Sequence, residues 1–538
     1  MSTRSDDPAT EPSAARGGGN TSTPAAGAEA PPANGIAPAV TPTRHPLLAT
    51  VGITLGSMII VLDTAIVTVA MPHMQGGLSA SQDQISWVVT IYLVTLAIMT
   101  PPTGWFARHF GRKRLYLTAL AVFATASMVC GMAGSLETVL VARAVQAAFG
   151  AVLLPLTQAT LLDIHPPKNH ARALALWSFG VTFGPFLGPT LGGYVADAFG
   201  WRECFFIAVP FCVAAFILTL ILVPEKQTTA RPRFSMTGFI LLSLGLGGLQ
   251  IMLDRGQRAD WFASDFIVGA AVAAGFGIVA FVIHSGTSRT PFFQPQLLRD
   301  RNFVAATFLF FILGLVQFTT LTLMPAFLHD LLDYSPLLIG IVLSPRALGS
   351  MTGSLLYGLL PQRTDPRILA GAGLFCIFGS YVGLMHATDG IDVWFIAGLM
   401  VLQGLGVPLI FVTLNKVGFS TLSNELRAEA ASVFNLLRGI GGSMGVATLV
   451  ALLTRSIQTN HAELAEHIHP YSERMAAGDH PALWDPTVLQ GLAILDRTIN
   501  HQAMLIAYIN NFWFMAIVLL ASMPLLLILG GSRVRARD

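Results

Sequence analysis

Residues 180–193 read GVTFGPFLGPTLGG, and half of them are Gly or Pro. These two residues suit a helix interior least, so in water the stretch reads as a loop. It nevertheless lies inside a long apolar run. In lipid the balance differs, because neighbouring helices and side chains satisfy the backbone groups that Pro and Gly leave free. Gly180, Gly184, Gly188 and Gly192 recur every four residues, which lines them along one helix face, and Gly193 completes the stretch. Small residues at this spacing let a second helix approach closely. Pro185 and Pro189 repeat at the same interval beside the stripe and bend the helix. The stretch is expected to be a membrane span whose flat face packs and rocks against another helix, sealing a pathway.

Composition points the same way. The chain has 538 residues, 53% hydrophobic and 11% charged. Soluble proteins carry about 25% charged residues, so the solvent of this chain is mostly lipid. The net charge of +2 says little, because placement matters more than the sum. Cys130, Cys204, Cys212 and Cys376 fall in apolar runs without a CxxC pair and read as small core residues. Residues 1–44, rich in Ala, Pro, Gly, Ser and Thr, read as a disordered tail and not as a signal peptide.

A spanning helix needs about 20 mostly apolar residues. Fourteen runs qualify: 47–70, 85–107, 115–134, 138–163, 173–195, 203–223, 235–253, 264–283, 303–328, 336–360, 368–387, 393–414, 430–454 and 508–530. An even count places both termini on one side. With that side cytoplasmic, the tails and even-numbered loops hold 22 of the 31 Lys and Arg, as the positive-inside rule requires. One outer loop, 455–507, is long and polar and carries His461, His467, His469, His480 and His501. Their spacing fits no metal-ligand pattern, so the loop reads as a solvated segment with some helix.

The chain also repeats itself. NHARALA (169–175) and NELRAEA (424–430) share N-x-x-R-A-x-A, and each leads into a Gly-rich span. Gln146 and Gln403 recur at nearly the same offset. Two six-span halves are therefore expected, 45–225 and 291–538, with a two-span insert at 226–290. Paired halves around a midplane site are a transporter plan.

Charged residues inside spans mark candidate functional sites, since a charge at that depth costs several kcal/mol. Asp63 is flanked by apolar residues in the first span. Burial favours the neutral acid and a nearby cation favours the carboxylate, so a balanced group can take and release a proton. Arg143 is its natural partner in the fourth span, with Gln146 and Gly150 on the same helix face. Arg346 and Arg438 are similar intramembrane cations in the second half. Trp87, Tyr92 and Gln317 are further candidates to line a cavity.

Seven motifs in order resemble the major facilitator superfamily, and within it the fourteen-span drug:proton antiporters of the EmrB/QacA type. LDTAIVTVAMP (62–72) resembles the first-span motif and GWFARHFGRKR (104–114) the loop between spans two and three. RAVQAAFG (143–150) resembles the fourth-span motif, and residues 180–193 resemble the antiporter motif G-x-x-x-G-P-x-x-G-P-x-x-G-G. LDRGQRADWF (253–262), SPRALG (344–349) and FNLLRGIGGSMG (434–445) look EmrB-like. The resemblance implies an all-α membrane protein of the major facilitator fold with about 14 helices, arranged 6 + 2 + 6 and with cytoplasmic termini. It implies proton coupling through Asp63 and Arg143, and a conformational loop built from Gly104, Arg108, Gly111, Arg112, Lys113 and Arg114. Arg108 stands where many members have Asp, so the acidic half of the family's charge clamp is expected to be missing. Thr68 and WRECFF (201–206) are two further departures from the family pattern.

The implied function is proton-coupled export of lipophilic or amphipathic small molecules, such as drugs, across the bacterial cytoplasmic (inner) membrane. The alternatives are a dedicated exporter of a metabolite or siderophore and a non-transporting membrane sensor. No phosphate-binding G-x-x-x-x-G-K-[ST] loop occurs, so an ion gradient is the expected energy source. No cofactor, metal, catalytic constellation or nucleic-acid partner is expected. The expected partners are the bilayer, substrate and protons, and the resemblance adds a periplasmic adaptor with an outer-membrane channel.

Overall fold

The computed structural model describes residues 45–166, 169–225, 233–288, 291–360, 364–386, 388, 390–423, 425–466 and 489–530. The expected tail, His467, His469 and His480 lie outside them, as do the side chains of Pro185 and Pro189. Among the described residues there are helices and no strands.

The first helices are α1 (Pro46–Gly77), α2 (Gln82–Met99), α3 (Thr103–Phe110), α4 (Arg112–Gly131), α5 (Leu136–Ile164), α6 (His170–Ala198), α7 (Trp201–Phe206) and α8 (Ala208–Leu222). Then come α9 (Met236–Arg255), α10 (Asp265–Thr287) and α11 (Pro295–Arg299). The chain continues through α12 (Arg301–Ala326), α13 (Pro336–Leu343), α14 (Pro345–Leu359), α15 (Pro366–Leu384), α16 (Val393–Ser420), α17 (Arg427–Glu466), α18 (Leu489–Ser522) and α19 (Leu525–Ile528). Thirteen helical segments among the described residues are long and apolar enough to cross a membrane. α6, with 29 residues or about 43 Å of rise, is long enough to make a fourteenth crossing. Every expected span is therefore a helix, and the chain is a multi-pass membrane protein.

Three details differ from the sequence reading, each for a local reason. The second expected span is two helices, because Pro101 and Pro102 fall between α2 and α3. α2 starts at a capping box: the Gln84 N–H donates to the Ser81 hydroxyl (3.2 Å), and the Ser81 N–H donates to the Gln84 side chain (3.0 Å). The tenth span is likewise broken at Pro345, between α13 and α14. The outer loop is largely helical at its two ends. α17 runs on to Glu466, and α18 begins at Leu489. At 40 residues α17 is about 60 Å long, well beyond a hydrocarbon core of about 30 Å. His461 meets Asp496 at 3.4 Å across the two protruding ends.

The helices pack in two groups. α1, α2, α4, α5, α6 and α8 pack on one another, and so do α12 and α14 to α18. α6 touches α14 and α16, while α3 and α5 touch α17, so the groups meet along these helices. α9 and α10 pair with each other, and α9 also meets α2 and α17. Both described chain ends lie at the same end of the bundle. The Gly530 N–H donates to Asn302 at the start of α12 (2.7 Å), and Thr50 meets His165 just past α5 (2.7 Å). Arg108, Arg112, Lys113 and Arg114 make this the basic end of the molecule. The turn there needs Gly111, whose φ of 85° is in the left-handed region.

The glycine stripe of α6 faces α1, inside the N-terminal group, and the expected seal between the halves is not where these glycines lie. A Cβ on Gly180 would collide with Thr54, and one on Gly188 with the Ala65 Cβ. On Gly184 and Gly192 it would meet the α1 backbone at 3.0 Å. Gly193 meets α1 only loosely, with Val69 at an ordinary 3.7 Å. The same device joins α12 and α17. A Cβ on Gly314 would run into the Arg438 carbonyl, and one on Gly441 into the Phe311 carbonyl.

A pair of substitutions on one helix tests the stripe. Gly188→Val should force α1 and α6 apart and cost about 1–3 kcal/mol or more, the usual range for overpacking. Gly193→Ala should be neutral. Thermal unfolding of the two purified variants in detergent checks this, and equal midpoints would contradict it.

Candidate functional site

The site is built on three helices of the N-terminal group. Asp63 projects from α1, and Arg143 and Gln146, one turn apart, project from α5. All three side chains are at least 97% buried. Arg143 Nη1 donates to Asp63 Oδ2 at 2.5 Å and to Gln146 Oε1 at 2.7 Å. Gln146 Nε2 donates to the other carboxylate oxygen, Oδ1, at 3.0 Å. Tyr92, on α2, lies flat against the guanidinium, with Cζ 4.0 Å from the ring centroid. Phe205 covers a second side at 5.9 Å. Arg143 Nε and Nη2 have no hydrogen-bond partner among the described residues. The carboxylate is thus doubly satisfied, while the cation keeps capacity to spare. A protonated Asp63 would lose its ionic partner, and Arg143 would still hold Gln146 and the Tyr92 face.

Gly150 lies further along the same helix. A Cβ there would lie 3.2 Å from Phe123 and at an ordinary 3.7 Å from the Tyr92 hydroxyl, so the glycine makes room for the Phe123 ring.

The repeat reappears here as a bonded pair. In the C-terminal group Gln403 Nε2 donates to Thr320 Oγ1 at 3.3 Å, and Thr320 meets the Tyr381 hydroxyl at 2.5 Å. Thr320 follows Asp63 by 257 residues, and Gln403 follows Gln146 by the same 257. The position equivalent to Arg143 is Met400. The two groups therefore share one polar contact between equivalent helices, but only the N-terminal copy carries charge. Sequence reading found the Gln pair and missed Thr320, whose signal was that shared offset.

Arg346 and Arg438, the other two intramembrane cations, are half-buried on α14 and α17. Neither has an ion pair or hydrogen bond among the described residues, and Arg438 Cζ lies 5.7 Å from the Phe411 ring. Gln317 Oε1 is also buried without a partner. Trp87, one of the candidates to line a cavity, faces the two-helix insert, 6.2 Å from Phe266.

At the basic end the charges are matched across the groups. Arg108 Nη1 donates to Glu429 Oε2 of α17 at 2.7 Å, and Glu429 Oε1 accepts the Gln294 N–H at 2.7 Å. Arg112 pairs with Asp163 at the end of α5, and Arg427 of α17 lies 3.9 Å from the same Asp163. The expectation that the acidic half of the clamp is missing is therefore corrected: Glu429 and Asp163 supply it. Arg108 cannot play the part of the usual Asp, but the partner helix carries the opposite charge. A scan confined to residues 104–114 could not see this, although Glu429 lies inside the repeated motif.

Gly104 permits the contact, since a Cβ there would lie 2.7 Å from the Glu429 Cβ. Lys113 donates to the Leu220 carbonyl at 2.7 Å, and Arg114 pairs at the exposed surface with Glu225. Asn435 donates to Gln158 (2.9 Å) between α17 and α5. The arginines of the repeated motif both cross between groups, Arg172 to the Gly358 carbonyl (3.3 Å) and Arg427 to the Leu162 carbonyl (3.4 Å).

A buried ionisable triad in one of two repeated groups of spanning helices, with polar contacts joining the groups at one end, defines a secondary membrane transporter and not an enzyme. The profile of the Major Facilitator Superfamily matches residues 53–446. The chain belongs to that superfamily. It is 32% identical over 474 residues to the multidrug export protein EmrB of Haemophilus influenzae, covering 87% of this chain and 93% of that one. It is 31% identical over 488 residues to the fatty acid resistance protein FarB of Neisseria gonorrhoeae, covering 90% and 96%. Among solved structures, the human organic anion transporter MFSD10 matches with a TM-score of 0.56 at 13% identity, covering 88% of this chain and 99% of that one. A double-Trp mutant of XylE matches with a TM-score of 0.57, also at 13% identity, covering 91% and 97%. At that identity the two structures speak for the fold alone.

The ion pair has a measurable signature. Arg143→Met leaves Asp63 buried without its cation and should destabilise the protein by about 3–5 kcal/mol. Replacing both residues, as Asp63→Leu with Arg143→Met, should cost less than either single change. Thermal unfolding in detergent provides the comparison, and additive losses would argue against the pair.

Proposed function

We propose that this protein is a proton-coupled antiporter of the bacterial cytoplasmic membrane that exports lipophilic or amphipathic small molecules. The buried contact of Asp63 with Arg143 and Gln146 carries this reading. The functions named for the relatives, multidrug export and fatty acid resistance, support it. The basic end is then cytoplasmic, with both termini, as the positive-inside rule requires.

In this reading the two groups of helices are the two halves, 45–225 and 291–538, and they rock about the site. Asp63 takes a proton from the outside when that face is open. The proton sits on the carboxylate, the ionic contact to Arg143 weakens inside the N-terminal half, and the halves reorient as the contacts between them at the basic end open. Release to the cytoplasm restores the pair. One charge crossing about 100 mV supplies roughly 2.3 kcal/mol, enough to drive uphill export. Arg346 and Arg438, unpaired among the described residues, suit a substrate with an anionic end. A dedicated exporter of one such amphipathic acid is the second reading, and these two guanidiniums are what favour it. The protruding ends of α17 and α18 suit a periplasmic adaptor leading to an outer-membrane channel.

Reconstituted protein tests the coupling. Asp63→Asn should insert and fold, yet lose pH-gradient-driven export by at least about tenfold, and an uncoupler should abolish wild-type export. Export by Asp63→Asn at the wild-type rate would remove the proton assignment.

The basic-end contact offers a separate test. Arg108→Glu sets two carboxylates together and should slow export several-fold. Adding Glu429→Arg restores opposite charges and should recover much of the rate, as cross-interface coupling predicts. Initial export rates at matched expression give the comparison, and a double variant no better than the single one would argue against the lock.

A further inference from the structure

The two-helix insert, α9 and α10, is not used by the site or by the basic-end lock. α10 packs on α9 and leaves Val272, Phe276, Val279, Val282 and Ile283 exposed, so it is the outer helix. α9 lies inward and meets both α2 and α17, one from each group.

Its two contacts are unlike. Toward α2 they are ionic, with a buried cation and a carboxylate partner, Asp83, whose side chain is 67% exposed. Arg255, 7% exposed, pairs with the Asp83 carboxylate, donates to the Ser86 hydroxyl and reaches the Asp83 carbonyl at 3.3 Å. Its Cζ lies 4.7 Å from the Trp87 ring. The next residue back, Asp254, accepts a hydrogen bond from the buried Thr90 hydroxyl. Further down, Gly247 lets Ile98 approach, since a Cβ on that glycine would lie only 3.2 Å from Ile98 Cδ1. At the basic end Phe234, just before α9, packs on Trp105 of α3 with ring centroids 4.7 Å apart. Toward α17 the contact is apolar, through Leu242, Leu246 and Leu436, with one neutral pair, Gln250 and Ser443, at 2.8 Å.

We infer that the insert is a wedge fastened to α2 and α3, which closes the lipid-facing gap between α2 and α17 and slides on α17 as the halves rock. A buried Arg held by a carboxylate, a hydroxyl and an aromatic face is costly to strip. Leucines against leucines, with a single neutral hydrogen bond, shift register far more readily. Given the rocking proposed above, the insert travels with the N-terminal half, and Gln250 parts from Ser443 in each cycle.

Disulfide trapping tests this in a background where Cys130, Cys204, Cys212 and Cys376 are replaced by Ala. Ile98→Cys with Gly247→Cys joins α2 to α9, and Thr90→Cys with Asp254→Cys is a second such pair. Gln250→Cys with Ser443→Cys joins α9 to α17. Export of one fluorescent lipophilic dye is measured in vesicles before oxidation, after oxidation and after re-reduction. The α9–α17 disulfide should slow export at least about tenfold, reversibly, and either α2–α9 disulfide should change it less than about twofold. An α9–α17 disulfide without effect, or α2–α9 disulfides that block as strongly, would overturn the wedge. The reduced proteins report on the transport reading itself, and the ratio of oxidised to reduced rate reports on the insert alone.

Discussion

In lipid no hydrophobic force drives one helix against another, so these helices must hold together by close packing. Glycine makes that packing possible at several crossings, two of which occupy equivalent places in the two groups. Gly180, Gly184, Gly188 and Gly192 of α6 rest on α1, and Gly441 of α17 rests on α12, which answers with Gly314 against the Arg438 carbonyl. Each crossing joins the first and fifth spans of a six-span group. Side chains larger than hydrogen would push each pair apart and open the group to lipid. The buried polar contacts depend on this, because Asp63 and Thr320 both project from a helix fixed in this way.

The two polar contacts show how the repeat has diverged. Asp63 with Gln146, and Thr320 with Gln403, join equivalent helices at one shared offset. A buried carboxylate requires a cation nearby, and Arg143 supplies it. A threonine hydroxyl does not ionise in the physiological range and needs no cation, and Met400 takes the arginine's place in the sequence. A second buried charge would add several kcal/mol of desolvation without a second function. One titratable position in two is sufficient for coupling, and the uncharged copy keeps the helix contact.

Much of this was legible in the sequence. The fourteen apolar runs are helical, the second, sixth and tenth in two pieces, since a span is a property of length and hydropathy. Asp63, Arg143 and Gln146 were legible because charge inside an apolar run is rare and one helix turn separates the last two. The partners of the basic run were not. Glu429 and Asp163 sit more than fifty residues from Arg108 and Arg112 in sequence, at the edges of spans, where a charge looks merely solvated. The direction of the glycine stripe was also hidden: periodicity shows that a face is flat, but not which helix covers it. The packing partner of Trp87 was hidden for the same reason, Phe266 lying on a helix that sequence treats as an appendage.

Magnitudes decide what the basic-end lock can do. Arg108 with Glu429, Arg427 with the Leu162 carbonyl, and Asn435 with Gln158 are contacts between the groups in which one side (Glu429, Leu162, Gln158) is buried and the other partly exposed. Each is worth about 0.5–3 kcal/mol net, because water replaces the partner when the groups part. Together they amount to a few kcal/mol, close to the roughly 2.3 kcal/mol that one charge gains across 100 mV. A dry lock of the Asp63–Arg143 kind at this end would far exceed that, and the groups could not part. The placement is therefore consistent with the proposed cycle: the fully buried ion pair lies within one group, where its two helices need not separate for that group to move, and the pairs that water can reach as they part lie between the two.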